Sequence, residues 1–134
     1  MDGFEFEQHC ANVLAHKGYK KVEVTKGSGD QGIDIIAYKG GEKYGIQCKY
    51  YLNPVGNKAV QEAYTGISVH QCDVAMVMTN NTFTKGAREA AESTGVILWD
   101  YVPRQVEPYF FGLFKRVLLC SFLLLVGCII YYIF

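Results

Sequence analysis

The last 18 residues of the chain, 117–134, carry no charged side chain and read VLLCSFLLLVGCIIYYIF. As an α-helix this run would be about 27 Å long, close to the roughly 30 Å thickness of a bilayer's hydrocarbon core. A helix that is apolar on every face fits poorly as a buried C-terminal helix or a dimer-packing segment of a domain this small. The run therefore predicts a single membrane-spanning helix. Lys115 and Arg116 directly before it predict that the N-terminal domain is cytoplasmic.

Charge is distributed unevenly along the chain. All 13 acidic residues lie at or before Glu107, and residues 1–108 hold 11 basic and 13 acidic groups, a net charge of −2. A polycation that binds nucleic acid through its overall field is excluded, so a nucleic-acid partner would need a local basic patch. The five cysteines form no C-x-x-C pair, which argues against a zinc site or a disulfide framework and suits a reducing compartment.

The hydrophobic periodicity before the apolar run predicts an α/β fold. We expect a mixed β-sheet flanked by helices, with an antiparallel hairpin first and right-handed parallel crossovers later. The predicted order is α-β-β-β-α-β-α-β, with helices at 3–16, 57–70 and 85–93 and strands at 21–25, 33–38, 43–51, 74–78 and 96–99. These elements make up a domain at 1–100, followed by a linker and basic segment at 101–116 and the span at 117–134.

The predicted hairpin gathers polar residues that could do chemistry. Because side chains alternate along a strand, Gln47 and Lys49 share one face of the third strand, and Ile46, Cys48 and Tyr50 share the other. A turn at 39–42 would bring Asp34 close to Gln47 and Lys49. An acid, an amide and an ammonium are costly to bury together without a purpose.

These residue types could support metal-assisted phosphodiester hydrolysis. The Asp34 carboxylate can bind a hard divalent cation, and the carbonyl oxygens of the Gln47 side chain and the Cys48 backbone can add neutral ligands. Lys49 can position a water or neutralise charge that develops on a phosphate. The spacing alone fits equally well a cross-strand ion pair of Asp34 with Lys49 on a solvated face, with Gln47 as an exposed amide.

A family resemblance adds to this interpretation. Residues 3–100 resemble the catalytic domain of the Mrr-type restriction endonucleases, in the PD-(D/E)XK nuclease superfamily. The matching segments, in order along the chain, are GFEFE from Gly3, GY from Gly18, TKGSGDQGID from Thr25, IQCKY from Ile46, VG from Val55, TN from Thr79, FTKGAREAA from Phe83 and LWD from Leu98.

The resemblance implies specific roles for residues of the hairpin and of the first helix. Asp34 looks like the metal-binding aspartate, and Gln47 with Lys49 looks like the family's Q-x-K variant, in which Gln replaces an acidic residue. Glu7 looks like the first-helix glutamate that completes the site. Glu5 is its competitor, but the two point about 200° apart on a helix, so only one can face the site. The implied catalytic set is Glu7, Asp34, Gln47 and Lys49, and the implied metal ligands are Asp34, Gln47 and Cys48, for Mg²⁺ or Mn²⁺.

Contacts with double-stranded DNA are expected from polar residues in or just after the loops near this site. The candidates are Lys26, Ser28, Gln31, Lys58, Lys85 and Arg88. Such side chains would contact phosphates and position a duplex without reading its sequence. Each taken singly is equally compatible with an ordinary solvated side chain. With a net charge of −2, tight binding by a monomer is not expected, and a homodimer or concentration at a membrane would compensate.

The sequence thus predicts a membrane-tethered, Mg²⁺-dependent DNA endonuclease, and the resemblance suggests restriction of foreign DNA. Two alternatives remain open. The first is a catalytically silent, membrane-anchored DNA-binding or adaptor module that keeps a nuclease fold. The second is a structure-specific nuclease that resolves DNA junctions.

Overall fold

The protein is described here by a computed structural model that covers residues 1–26, 32–104 and 109–133. The chain divides into two compact units, Met1–Arg104 and Gln105–Phe134. Within these described residues the first unit holds a five-stranded sheet and three helices, and the second holds one long helix. In chain order the elements are α1 Gly3–His16, β1 Lys20–Val24, β2 Ile35–Lys39, β3 Glu42–Lys49, α2 Asn57–Val69, β4 Val74–Thr79, α3 Lys85–Thr94, β5 Ile97–Trp99 and α4 Tyr109–Ile133.

The sheet has the strand order β1-β2-β3-β4-β5. Strands β1, β2 and β3 pair antiparallel, whereas β3, β4 and β5 pair parallel. This mixture follows from the connections, because β2 and β3 are joined by a tight turn while each later strand follows a helix. The predicted mixed sheet flanked by helices is confirmed, and so is the predicted order of elements.

The β2–β3 hairpin turns on two glycines. Lys39 pairs with Glu42, and the two residues between them, Gly40 and Gly41, have φ angles of 60° and 80°. Two successive residues with positive φ form the kind of turn whose twist matches that of the flanking strands, and glycine adopts it at little cost. The turn fixes the register of the hairpin, with Ile35 opposite Ile46.

Helix α1 covers one face of the sheet and is fixed at its start by a capping box. The Asp2 side chain accepts the backbone N–H of Glu5 at 2.8 Å, and the Glu5 side chain accepts that of Asp2 at 2.9 Å. The apolar stripe of the helix is buried and consists of Phe6, Cys10, Val13 and Leu14. The Phe6 ring lies against Tyr50, with centroids 5.4 Å apart, so α1 covers the face of the sheet on which Tyr50 lies.

Helices α2 and α3 pack together on the opposite face. Their small buried residues allow a close approach to β4, and the shared core consists of Val55, Ala59, Val60, Ala63, Ala75, Val77, Phe83, Ala87, Ala91 and Val96. Helix α3 begins at a Thr84 cap and ends at Gly95, whose φ is 75°. The sheet is therefore covered on both faces, as its apolar β4 sequence requires.

Helix α4 is longer than the apolar run from which it was predicted. It begins at Tyr109, so residues 109–116, which we expected to be part of a linker and basic segment, are helical. No proline interrupts 109–133, and the cost of the glycine at 112 is small, so the helix extends through the basic pair. The window Arg116–Ile133 is long and apolar enough to cross a membrane, by length and composition only.

Candidate active site

The polar site lies where β2 and β3 stop pairing. The Asp34 backbone N–H donates at 2.8 Å to the carbonyl of Ile46, the residue that pairs with Ile35, so the regular register of the hairpin ends at Asp34. One step further, the Cys48 N–H donates at 2.7 Å to Oδ2 of the Asp34 side chain. Strand β2 was predicted to begin at 33 but begins at Ile35, since the Asp34 carboxylate, and not a strand carbonyl, accepts the next N–H. Asp34 is thereby fixed to the backbone of β3.

The Gln47 side chain is buried, with 5% of its surface exposed, so the exposed amide considered from the sequence is wrong. Its amide lies between a backbone carbonyl and a lysine. Oriented to satisfy both, Nε2 donates to the Gly32 carbonyl at 3.0 Å, and Oε1 accepts from Lys49 Nζ at 3.0 Å. Gln47 and Lys49 are thus on the same face of β3, as the alternation predicted, and they contact each other.

Helix α2 supplies a carboxylate that the sequence analysis missed. Glu62 Oε2 lies 3.1 Å from Lys49 Nζ, and Glu62 Oε1 lies 3.8 Å from Lys58 Nζ. In the sequence, Glu62 stands four residues after Lys58, a spacing typical of a surface ion pair along one helix. That spacing explains the Lys58 contact but gives no sign of the contact with β3.

Gly32 allows α2 to approach the hairpin closely. Its φ is 83°, and a Cβ added there would lie 2.5 Å from the backbone carbonyl oxygen of Glu62. Only glycine can adopt this conformation and leave this space. Gly32 therefore brings the turn of α2 that carries Glu62 against the start of β2, next to the Gln47 amide.

The opposite face of β3 presents Cys48 to α1. A hydrogen bond with the Cys10 side chain, together with burial, raises the pKa of the Cys48 thiol well above its ordinary value. The charges of Asp34 and Glu7 raise this pKa further, so both carboxylates lie within electrostatic range of the thiol. Cys48 therefore stays a neutral thiol, and Glu7 is half-buried on the side of α1 that faces Cys48. Glu5 is exposed and engaged in the helix cap.

The donor atoms at this place suit a hard divalent cation. Carboxylate and carbonyl oxygens are the ligands that Mg²⁺ and Mn²⁺ prefer, and Asp34, Gln47 and the Cys48 backbone offer them within one hairpin. In the described parts of the chain no three His, Cys, Asp or Glu side chains form a metal cluster. A site here would thus depend on the neutral oxygens, and Gln47 Oε1, which has two lone pairs, could ligate the cation while it accepts from Lys49.

Of the residues expected to contact DNA, Lys58 lies at the site. It lines a cleft of about 180 Å³ together with Lys49, Tyr51 and Glu62. Lys26 is exposed just after β1, and Lys85 is exposed at the start of α3, 3.7 Å from Glu89. The Arg88 guanidinium donates at 3.0 Å to Asp100 and to Thr82, so it already holds α3 to the segment after β5. Ser28 and Gln31 lie outside the described residues.

Comparison with known proteins places the chain in a family. The family model described as restriction endonuclease, the Mrr catalytic domain, matches residues 1–102. A type IV methyl-directed restriction enzyme of Escherichia coli K12, EcoKMrr, is 32% identical over 103 residues, which cover 71% of this chain and 34% of the enzyme. An uncharacterized protein of Archaeoglobus fulgidus is 28% identical over 105 residues, covering 71% of this chain and 60% of that protein. The chain therefore spans less than two thirds of the length of these relatives.

Solved structures share the fold. A crystal structure of a protein of unknown function matches 77% of this chain and 61% of that chain, with a TM-score of 0.64 and 24% identity. The DNA modification-dependent restriction endonuclease AspBHI matches 73% of this chain and 28% of that chain, with a TM-score of 0.54 and 23% identity. MspJI restriction endonuclease in complex with a 27-mer oligonucleotide matches 74% of this chain and 25% of that chain, with a TM-score of 0.53 and 19% identity. With a family model that spans most of its length, the chain belongs to the restriction endonuclease family defined by the Mrr catalytic domain.

Proposed function

We propose that this protein is a divalent-metal-dependent DNA endonuclease that hydrolyses phosphodiester bonds and is tethered to a membrane by α4. Membership of the restriction endonuclease family supports a DNA endonuclease in general. The observation that carries the specific proposal is the fork between β2 and β3, where the Asp34 carboxylate is fixed to Cys48 N–H beside the contact of Gln47 with Lys49.

Each residue at the fork has a role in the proposed reaction. The proposed cation is Mg²⁺ or Mn²⁺, and its ligands are the Asp34 carboxylate, the Gln47 side-chain carbonyl and the Cys48 backbone carbonyl. Glu7 completes the site from α1. A cation held there would activate water and neutralise charge on the scissile phosphate. Lys49 orients the attacking water or stabilises charge on the phosphate, at a place where only 18% of its side chain is exposed.

Double-stranded DNA is the proposed substrate, held by contacts to its phosphates. Lys58 in the cleft beside Lys49 is placed for this, and Lys26, Ser28, Gln31, Lys85 and Arg88 are proposed to extend the contact. Because Arg88 already pairs with Asp100, we expect its contribution to be smaller than that of Lys58. The net charge of −2 over residues 1–108 favours a homodimer or concentration at a membrane for productive binding.

The membrane part of the proposal has a separate basis. Helix α4 contains a span-length apolar window whose residues are not buried within the chain. Lys115 and Arg116 precede its most apolar part, which favours a single-pass topology with the nuclease domain in the cytoplasm. A role in restricting foreign DNA is supported by the likeness to a methyl-directed restriction enzyme, over 34% of that enzyme.

The test is divalent-dependent cleavage by the full chain in mild detergent. We expect supercoiled plasmid to be nicked or linearised with Mg²⁺ or Mn²⁺ and to stay intact with EDTA. Asp34→Ala should abolish cleavage. The matched control is Asp73→Ala, because Asp73 also accepts a backbone N–H from β3, that of Lys43 at 2.8 Å, but at the other end of the strand. Asp73→Ala should retain activity.

Two results would contradict the proposal. Asp34→Ala that cuts as fast as the wild type would show that the site is assigned wrongly. Duplex binding that persists in EDTA, without cleavage of any DNA tested, would favour the adaptor module instead. Competition between a four-way junction and a linear duplex of equal length separates a general endonuclease from a junction-resolving one.

A further inference from the structure

The Glu62 carboxylate on α2 is the nearest anion to Lys49 among the described ion pairs. We propose that Glu62 is a positioning residue for Lys49, which it holds against Gln47 at the fork of the hairpin. This inference rests on the proposed function, which makes Lys49 catalytic. It assigns a role to a residue of α2 that lies outside the hairpin motif.

Lys49 is held from several directions. Its Nζ lies 3.0 Å from Gln47 Oε1, 3.1 Å from Glu62 Oε2 and 6.0 Å from the centre of the Tyr51 ring. A lysine side chain has many rotamers to lose, and Gln47 offers the ammonium one acceptor oxygen on one side only. A charged acceptor forms a stronger hydrogen bond, so Glu62 contributes more than Gln47 to fixing the ammonium.

Glu62 is itself fixed by the packing of α2. Its backbone carbonyl lies against Gly32, at a distance that leaves no space for a side chain there. Its two carboxylate oxygens have different partners, with Oε2 toward Lys49 and Oε1 toward Lys58. The Gly32 carbonyl also accepts a hydrogen bond from the Gln47 side-chain amide. Gly32 therefore fixes the positions of both groups that contact Lys49, the Glu62 carboxylate on α2 and the Gln47 amide.

The charges predict how the loss of Glu62 would act. Glu62 lines the cleft together with Lys49, Lys58 and Tyr51, and it offsets part of the positive charge there. Without it, both lysines would be available to DNA phosphates, so duplex binding should strengthen or stay equal. Lys49 would, however, leave its place beside Gln47, and the chemical step should slow. Weaker catalysis with undiminished binding is a pattern that a merely structural role does not produce.

The experiment compares Glu62→Ala and Glu62→Gln with the wild type, as full chains in mild detergent. The control is Glu89→Ala, which removes an exposed carboxylate that lies 3.7 Å from Lys85 Nζ on α3. We expect Glu62→Ala to lower the single-turnover cleavage rate of a duplex by about ten- to a hundredfold, because misplacing a reacting group by about 1 Å costs that much. Duplex affinity in EDTA should stay equal or rise. Glu62→Gln keeps an acceptor oxygen, so its cleavage rate should lie between those of Glu62→Ala and the wild type. Glu89→Ala should cut at the wild-type rate.

The failure of this inference differs from the failure of the proposed function. If Glu62→Ala cuts at the wild-type rate while Asp34→Ala is inactive, the function stands and the role of Glu62 is overturned. If the wild type cuts no DNA, the function falls, and a crystal structure of Glu62→Ala decides the inference. Lys49 Nζ beyond hydrogen-bond distance of Gln47 Oε1 would support positioning by Glu62, and an unmoved Lys49 would overturn it.

Discussion

The two faces of β3 are built for different purposes. Toward α1 the strand presents Cys48 and, beyond its end, Tyr50, which contact Cys10 and Phe6 among buried apolar side chains. Toward α2 it presents Gln47 and Lys49, which form a chain of polar contacts that ends at Glu62. The difference arises from the alternation of side chains along one strand.

A single strand thus serves both packing and chemistry in this small domain. The apolar face holds the strand in place. The side chains of the polar face form hydrogen bonds and ion pairs with neighbours that are themselves fixed, so burying these side chains costs little free energy. Cys48 connects the two faces, because its thiol points to α1 while its backbone N–H donates to the Asp34 carboxylate at the fork. We expect substitutions on the apolar face to cost stability and substitutions of the polar side chains at the fork to cost activity.

Lys49→Ala tests the polar face and should show the largest effect. Loss of the ammonium beside the scissile phosphate should lower cleavage by about a thousandfold, or about 4 kcal/mol in the barrier. Its ion pair is partly exposed, so the melting temperature should change little. Plasmid cleavage and thermal unfolding measured on the same preparation check both parts.

The control for Lys49→Ala is Lys43→Ala, on the same strand and the same face. Lys43 Nζ donates to the His70 carbonyl at 2.7 Å, away from the fork. This variant should lose some stability and keep its cleavage rate. Equal loss of cleavage in the two variants would contradict the assignment of the chemistry to the fork end of this face.

The local pattern predicted the alternation and the hairpin well. Alternation within β3 requires only the sequence of that strand, and the two glycines after Lys39 mark the turn, so the faces of Gln47, Cys48 and Lys49 followed directly. The capping box that engages Glu5 was not predicted, although it is local in the sequence, and it leaves Glu7 to face Cys48.

What the sequence did not reveal depends on tertiary contacts. Glu62 lies beside Lys49 because the turn of α2 that carries it packs against Gly32, which stands 30 positions earlier in the chain, and such a contact leaves no trace in local periodicity. The late start of β2 depends on the Asp34 side chain, which accepts the N–H of Cys48 in place of a strand carbonyl, and propensity cannot show this. The catalytic and metal-binding roles of the fork residues stay predictions.

Phe6→Ala tests the apolar face. Phe6 is 2% exposed and lies against Tyr50, so its loss should lower the free energy of unfolding by about 3 kcal/mol. Chemical denaturation checks this. Phe4→Ala, on the same helix but 65% exposed, should change stability by less than about 0.5 kcal/mol. Similar costs for the two variants would show that α1 does not pack as described.

Gly32→Ala tests the contact that joins the hairpin to α2 beneath the polar face. The added Cβ would meet the Glu62 carbonyl oxygen at 2.5 Å, in addition to the strain of a positive φ, so we expect a loss of about 2 kcal/mol in stability. Gly41→Ala is the control, since its φ of 80° imposes similar strain with nothing within 4 Å of the new Cβ in the described part of the chain. The difference between the two variants in urea denaturation isolates the close approach. Because displacing α2 also moves Glu62 away from Lys49, Gly32→Ala should slow cleavage while Gly41→Ala should not, and equal stability of the two variants would contradict the tight contact.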